Sequence, residues 1–399
     1  MGNINRSIVL SFRDVLLWFT FFIVIGSACF QTQYKFPLLF ALFNILSKVI
    51  FVTSLILHII RCLRYKKQFF TKYDILLLLL FSWLVCSSIL NGHSWIMQVP
   101  FVMKSLSIRY IFTLYTPNRK EKIITILSSV FTFIVYLNFF QLLFFSSIMG
   151  YVDGDKVYLI STNYNQFGAV FMPAIFLKII ESFQTGCKRS LILLFVVCVA
   201  SVAIEGSATA TISILLLLLT VVFVKKYFFL KVENISILVG IVLFFFTFVL
   251  PVLSIFNVPF VSSFVEGLGK DMTFSHRTSI WIYALFQISY SPLIGYGVCD
   301  KEWFQFLLSN AVNTHNVILH FLIQGGGVGL LIFAVFVYIG IKQLLSIQDK
   351  YQRELLLTVV IVFFLMSQFE VYTNTFIYIF IFLMFISKEM LTCKFIENV

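Results

Sequence analysis

The sequence predicts an all-α polytopic integral membrane protein of about twelve transmembrane helices, with a long outer loop between spans 9 and 10. Four observations predict it. Hydrophobic residues make up 60% of the 399 residues and charged residues only 12%, too little charge to cover a water-soluble fold of this size. Apolar runs of about eighteen residues or more recur from end to end, the length a helix needs to cross a bilayer. The alternating strands of an outer-membrane barrel are absent. Lys and Arg gather in every second turn of the chain, the pattern set by cytoplasmic retention of positive charge.

The apolar runs fall near 15–30, 36–60, 73–91, 96–116, 123–149, 165–183, 190–204, 208–224, 235–256, 315–341, 354–372 and 373–387. The first follows Arg6 and Arg13 and is succeeded at once by another, so it reads as an uncleaved anchor and not a signal peptide. Ser27-Ala28-Cys29 has Gly26 where a lipidation site needs a bulky aliphatic residue. Arg61, Arg64, Lys66, Lys67 and Lys72 follow span 2, and Arg119, Lys120 and Lys122 follow span 4. Lys188 and Arg189 follow span 6, Lys225, Lys226 and Lys231 span 8, and Lys342, Lys350 and Arg353 span 10. With Lys388 and Lys394 after the last span, both termini are expected in the cytoplasm.

Only Lys35, Lys156, Lys270, Arg277 and Lys301 then fall outside, while Lys48, Lys104, Arg109 and Lys178 lie within spans. The net charge of +12 therefore reflects orientation in the lipid bilayer and argues against a nucleic-acid partner. Cys29, Cys62, Cys86, Cys187, Cys198, Cys299 and Cys393 show no metal or redox spacing. Only Cys299 lies in an outer loop, so no disulfide framework is expected. No repeat or linker divides the chain, and 1–399 reads as a single multi-span membrane domain.

Two outer segments have room for function. The smaller is 150–164, GYVDGDKVYLISTNY. The larger, 257–314, carries Glu266, Lys270, Asp271, His276, Arg277, Asp300, Lys301 and Glu302 and leads to His315; a loop of that length in a compact protein is usually functional. Within it SIWIYALFQISY is apolar almost all round and predicts a helix lying on or dipping into the membrane. SPLIGYGV, which follows, is a Pro/Gly turn.

The stretch NTHNVILHFLIQGGGVG opens span 10. On a regular helix Gly326 and Gly329 return to within about 40° of the His315 face. His315 would stand above a face bare of side chains, which another helix or a lipid tail could approach closely. The same residues also suit a capped helix N-terminus above an ordinary packing groove. Arg277 is permanently charged and its planar fork fits phosphate oxygens; beside a membrane helix it needs an anionic partner or must snorkel. Trp281 reads as an interfacial ring or a sugar-stacking platform. Asn163 and Asn165 suit sugar hydroxyls or a local turn, and Asn316 either orients His315 or caps the helix. His320 points away from the His315 face and reads as packing. Glu370, at the outer end of span 11, is a candidate for orienting Arg277 or His315. Lys48, in mid-span, has no evident role.

His315-Asn316, followed after nine residues by Gly326-x-x-Gly329, resembles the signature of the O-antigen ligase and Wzy-type polysaccharide polymerase superfamily. SHRTSIWIYALFQISYSPLIGYGV resembles the same family's Arg-x3-Trp and Pro-Leu-x-Gly-x-Gly segment, and STNYNQFGAVFMPAIF (161–176) resembles its outer-loop Asn motif more loosely. The resemblance implies a GT-C-like, metal-independent membrane glycosyltransferase that needs no cofactor and acts on polyprenyl-diphosphate-linked oligosaccharide. It makes His315 the general base, a role suited to imidazole, and Arg277 the residue that binds the departing diphosphate. It also implies Asn316, Trp281, Asn163, Gly326 and Gly329 as substrate-binding residues. No P-loop or metal-ligand cluster is present in the sequence.

One departure matters. EGSATATISIL (205–215) has Ala208 or Thr209 where the ligases carry a second phosphate-binding arginine. Lys104 and Arg109 are possible substitutes, although Arg109 sits where snorkelling is expected. The leading expectation is a polymerase joining lipid-linked repeat units into a capsular or O-antigen-type polysaccharide, with flippase and chain-length regulator proteins as partners. The alternatives are a ligase moving a finished glycan to another acceptor and a transporter of lipid-linked oligosaccharide. A transporter should carry its polar site near the midplane and show related halves.

Overall fold

The computed structural model describes residues 11–29, 37–114, 117–144, 151–153, 156–158, 166–205, 208–224, 240–241, 243–255, 277–308, 311–371 and 375–392. Helices dominate: α1 (Phe12–Cys29), α2 (Pro37–Tyr65), α3 (Lys72–Leu90), α4 (Val99–Thr113), α5 (Pro117–Phe144), α6 (Phe167–Thr185), α7 (Arg189–Glu205) and α8 (Ala208–Val224). A π turn at Phe245–Val249 runs into α9 (Leu250–Ile255), followed by α10 (Arg277–Tyr290), α11 (Lys301–Leu307), α12 (Val317–Leu345), α13 (Lys350–Met366) and α14 (Thr375–Thr392).

Among the described residues, six helices are long and apolar enough to cross a membrane: α1, α2, α3, 121–144 of α5, α6 and α12. Arg189–Ile204 and Thr209–Leu218 are shorter apolar helices. This is the architecture of a multi-pass membrane protein. Local chemistry sets the helix limits. Thr71 and Asp74 close a capping box at the start of α3, satisfying two otherwise orphaned N–H groups. Asp349 accepts from Gln352 N to start α13, extending it four residues before the apolar run at 354. Gly186, at φ +74°, ends α6 in the left-handed conformation that glycine adopts without steric cost.

The segment 150–164 is not only loop. Tyr151–Asp153 (β1) pairs antiparallel with Lys156–Tyr158 (β2), Val152 facing Val157. The Asp-Gly-Asp between two short β-favouring stretches is a hairpin signal.

In the bundle α5 packs on α6, α12 on α14 and α3, and α2 on α4. The last turns of α3 meet the first turns of α12: Ser87 Oγ donates to Gln324 O at 3.1 Å and to Ile294 O at 2.8 Å. These contacts define one end of the molecule, the head end, where α12 begins. At the opposite end Arg109 pairs with Asp74 at 2.6 Å, both side chains essentially sealed from solvent. Arg109 also stacks beside Tyr110 and reaches Thr113 Oγ1. The snorkelling expected of Arg109 is thus replaced by a buried ion pair, and its charge is not available at the head end. A carboxylate supplied by a neighbouring helix removes the need to reach for water.

A candidate catalytic cluster at the head of α12

The head end has its own small apolar core, in which Leu250, Trp281, Cys299, Phe304, Leu308, Leu319 and Ile323 join α9, α10, α11 and α12. On this floor rests the turn Asn313–Asn316, held from every side. Asn313 Oδ1 accepts from His315 N at 2.7 Å. Thr314 Oγ1 donates to Asn316 O at 2.7 Å, and the Thr314 carbonyl accepts the indole N–H of Trp281 at 2.9 Å. Val317 N donates to Ser367 O at 2.8 Å, tying the turn to the end of α13.

Asn316 is fully buried and is the N-cap of α12, its Oδ1 accepting from Ile318 N and Leu319 N at 3.0 and 3.1 Å. Its Nδ2 donates to Gln368 Oε1 at 3.2 Å and to Thr247 Oγ1 at 3.3 Å. Thr247 Oγ1 in turn donates to Gln368 Oε1 at 2.9 Å. A buried polar trio with its atoms mutually satisfied rigidifies its surroundings.

The result of this clamping is His315 at φ +47°, a left-handed conformation that costs a residue with a Cβ roughly 1–2 kcal/mol. The surrounding bonds hold it there, and the ring is aimed at the turn that follows α13. His315 Nδ1 lies 3.3 Å from Glu370 Oε2, and the same oxygen is 3.8 Å from Arg277 Nη2. Glu370 is 3% exposed, whereas the side chains of His315 and Arg277 are 22% and 19% exposed. The buried carboxylate therefore sits behind two half-open cationic or basic groups and fixes both. When His315 Nδ1–H faces Glu370, Nε2 keeps its lone pair for a proton; among the described residues no side chain claims it. Among the described residues Glu370 is the one side chain within ion-pair distance of Arg277.

The sequence-predicted site residues separate into two groups. Arg277 and His315 come together, through Glu370 as the carboxylate that orients them. Trp281 is fully buried, so it cannot stack on a sugar; its indole holds the Thr314 carbonyl. Asn316 acts as cap and network member and is sealed from any substrate. His320 is packed as expected, stacked on Phe304 with ring centroids 5.2 Å apart. Asn163 and Asn165 lie outside the described residues, as does His276. Among the described residues no group of three His, Cys, Asp or Glu side chains could hold a metal ion.

The glycines form no open groove. Gly326 interrupts α12 with φ +60°, ψ −164°, so the regular turn that would align it with His315 is broken. Into the opening fits the Pro292–Gly297 turn. Gly327 N donates to Pro292 O at 2.7 Å, Tyr296 N to Ile323 O at 2.7 Å and Gly297 N to Gln324 O at 2.8 Å. A Cβ on Gly326 would overlap the Leu293 carbonyl. Trp83 fills the remaining face, its indole donating to Gly325 O at 2.7 Å and its ring lying 3.2 Å from where a Cβ of Gly329 would stand. The two glycine-containing motifs are thus halves of one backbone joint. It fixes α10 against α12, and with it Arg277 against His315. Cys299, beside this joint, is buried with its thiol pushed up by desolvation and is unsuited to be a nucleophile.

Trp83, Glu370, Thr247 and Gln368 complete the arrangement. A signal existed for Glu370 alone, as an acid at the end of an apolar span. Thr247 and Gln368 were indistinguishable from ordinary polar residues of a helix.

Residues 193–334 match a family model described as O-Antigen ligase. The matched region runs from α7 into α12 and holds Arg277, Trp281, His315 and the glycine joint, while Glu370 lies beyond it. No curated protein in the comparison matches the chain. Members of the matched family are glycosyl-transferring membrane enzymes, and over 193–334 the chain is similar to them.

Proposed function

We propose that the chain polymerises polyprenyl-diphosphate-linked oligosaccharide repeat units at the outer face of a bacterial cytoplasmic membrane, without a metal. The observation that carries this reading is the convergence of His315 and Arg277 on the buried Glu370. His315 Nε2 takes the proton of an acceptor sugar hydroxyl as that oxygen attacks the anomeric carbon of the donor. The bond from that carbon to the diphosphate breaks, and the bond pair leaves with the lipid diphosphate, whose growing charge Arg277 meets. Glu370 keeps Nδ1 protonated and steadies the imidazolium that forms. The glycosyl-diphosphate bond supplies the driving force, so no nucleotide is needed. Asn163 is assigned to sugar contacts. Flippase and chain-length regulator proteins are the expected partners, and the Lys/Arg-rich end of the bundle is placed in the cytoplasm.

A ligase is the second reading, favoured by the description of the matched family; it shares the donor chemistry and differs in the acceptor. The missing arginine near 208–209 weighs towards the polymerase. The test is complementation of a deletion strain with His315→Ala and Arg277→Ala, with membrane levels checked and the surface glycan run on a gel. Normal protein levels with single repeat units and no long chains support a polymerase. Long chains left on the lipid carrier mean a ligase. Long, correctly attached chains in both variants overturn the site.

A further inference from the structure

A second cationic feature lies outside this cluster. Asn44, Ser47, Lys48, Pro100, Met103 and Lys104 line a cavity of about 180 Å³ between α2 and α4. Lys104 is 93% buried (7% exposed). Its ammonium donates to Ser27 O at 2.7 Å and to Asn44 Oδ1 at 3.4 Å, leaving the third of its three donors. Neither Lys104 nor Lys48 has a carboxylate within ion-pair distance among the described residues.

That omission is unusual within this bundle. Arg109 has Asp74 at 2.6 Å and Lys178 has Glu181 at 2.8 Å, as expected where a bare charge within a membrane is costly. Two like charges lining one cavity raise the cost further unless an anion joins them. Lys104 touches Ser27, two residues from the end of α1, and stands five residues inside α4, which begins at the head end. Asn44 lies about 10 Å along α2 from its start and Lys48 about 16 Å. Alongside the cavity and beyond it α2 exposes Leu42, Ile45, Val49, Val52 and Ile56, a stripe at helical spacing along which an acyl or isoprenoid chain can lie.

We infer that the α2–α4 cavity is a binding site for the phosphate group of a membrane lipid, held between Lys48 and Lys104, with the lipid chain along the exposed face of α2. The site is separate from the His315 cluster and does not depend on the reaction proposed there. Its ligand is a lipid phosphate, from either a resident anionic phospholipid or a polyprenyl phosphate.

The test uses the full-length protein in nanodiscs of phosphatidylcholine doped with phosphatidylglycerol or with polyprenyl monophosphate. Lipids retained after mild extraction are measured by native mass spectrometry. The expected result is retention of the anionic lipid over phosphatidylcholine, falling about tenfold in Lys48→Gln/Lys104→Gln, the size of a lost charge-assisted hydrogen bond. The anionic lipid retained more strongly identifies the source. Equal retention of phosphatidylcholine, an unchanged preference in the double variant, or displacement by inorganic phosphate would overturn the proposal. Should the double variant not accumulate, Lys48→Gln, at an exposed position of α2, must lower the preference alone, and the wild-type comparison of lipids needs no variant.

Discussion

His315 Nδ1 lies 3.3 Å from Glu370 Oε2, although the two residues are 55 positions apart, one just before α12 and the other just after α13. The carboxylate is buried and the imidazole half-open, so the pair has an inner, orienting member and an outer, reacting one. Glu370→Gln keeps the shape and removes the charge. It is expected to lower glycan formation per folded enzyme by about tenfold or more, against about 10²–10⁴-fold for His315→Ala. Initial rates of chain formation in membranes containing equal amounts of each variant check this; an unchanged rate in Glu370→Gln would remove Glu370 from the site.

Trp281→Phe retains most of the buried ring but leaves the Thr314 carbonyl without its indole donor. The expected cost is about 1–3 kcal/mol of stability, with a fall in turnover and little change in the apparent affinity for substrate. A rise in KM at constant turnover would show instead that the ring touches the glycan.

Gly326→Ala forces a Cβ into the Leu293 carbonyl at φ +60°. The strain alone is on the order of 1–3 kcal/mol, and loss of the docked turn adds to it. Thermal unfolding in detergent should show a clear drop. Gly327→Ala, whose Cβ would stand 3.3 Å from Pro292 O, is expected to be far milder. Equal effects at the two positions would mean that the backbone joint does not hold the site.

Asp74→Asn leaves the Arg109 guanidinium buried without its carboxylate, at an expected cost of about 3–5 kcal/mol. Asp74→Asn/Arg109→Gln should recover much of that loss, read as melting temperature. Activity per folded molecule should persist in the double variant, since the pair lies at the end of the bundle away from His315. Abolished activity with full stability would return Arg109 to the list of phosphate-binding residues.

Exposed Cys187 lies between α6 and α7, at the Lys/Arg-rich end. A membrane-impermeant maleimide should label it in inverted vesicles and not in intact cells. Cys299, buried with a raised thiol pKa, should stay unlabelled in both until the protein unfolds. Labelling of Cys187 from outside would reverse the proposed orientation.

Much of the fold was legible in the sequence, because long apolar runs have few alternatives in lipid. The helix in SIWIYALFQISY, the Pro/Gly turn after it and the packing of His320 all followed from local pattern. The hairpin at 151–158 carried a usable signal in Asp-Gly-Asp that hydropathy alone passes over. The functional residues Arg277 and His315 stood out because charge is scarce in this composition, which makes each isolated polar group conspicuous.

What the sequence by itself determined is the helical membrane architecture, the segregation of Lys and Arg, and the order of Arg, His and Gly motifs. Only the tertiary structure decided how they meet. Periodicity assumes an unbroken helix, so it placed Gly326 and Gly329 under His315 as an empty face. The bend at Gly326 and the arrival of Pro292–Gly297 and Trp83 turned that face into a packed joint. Burial of Trp281 and the pairing of Arg109 with Asp74 likewise depend on which helix comes alongside. The convergence of Arg277 and His315 on Glu370 does too, because contacts between helices are set by packing across the bundle and leave no period in the chain.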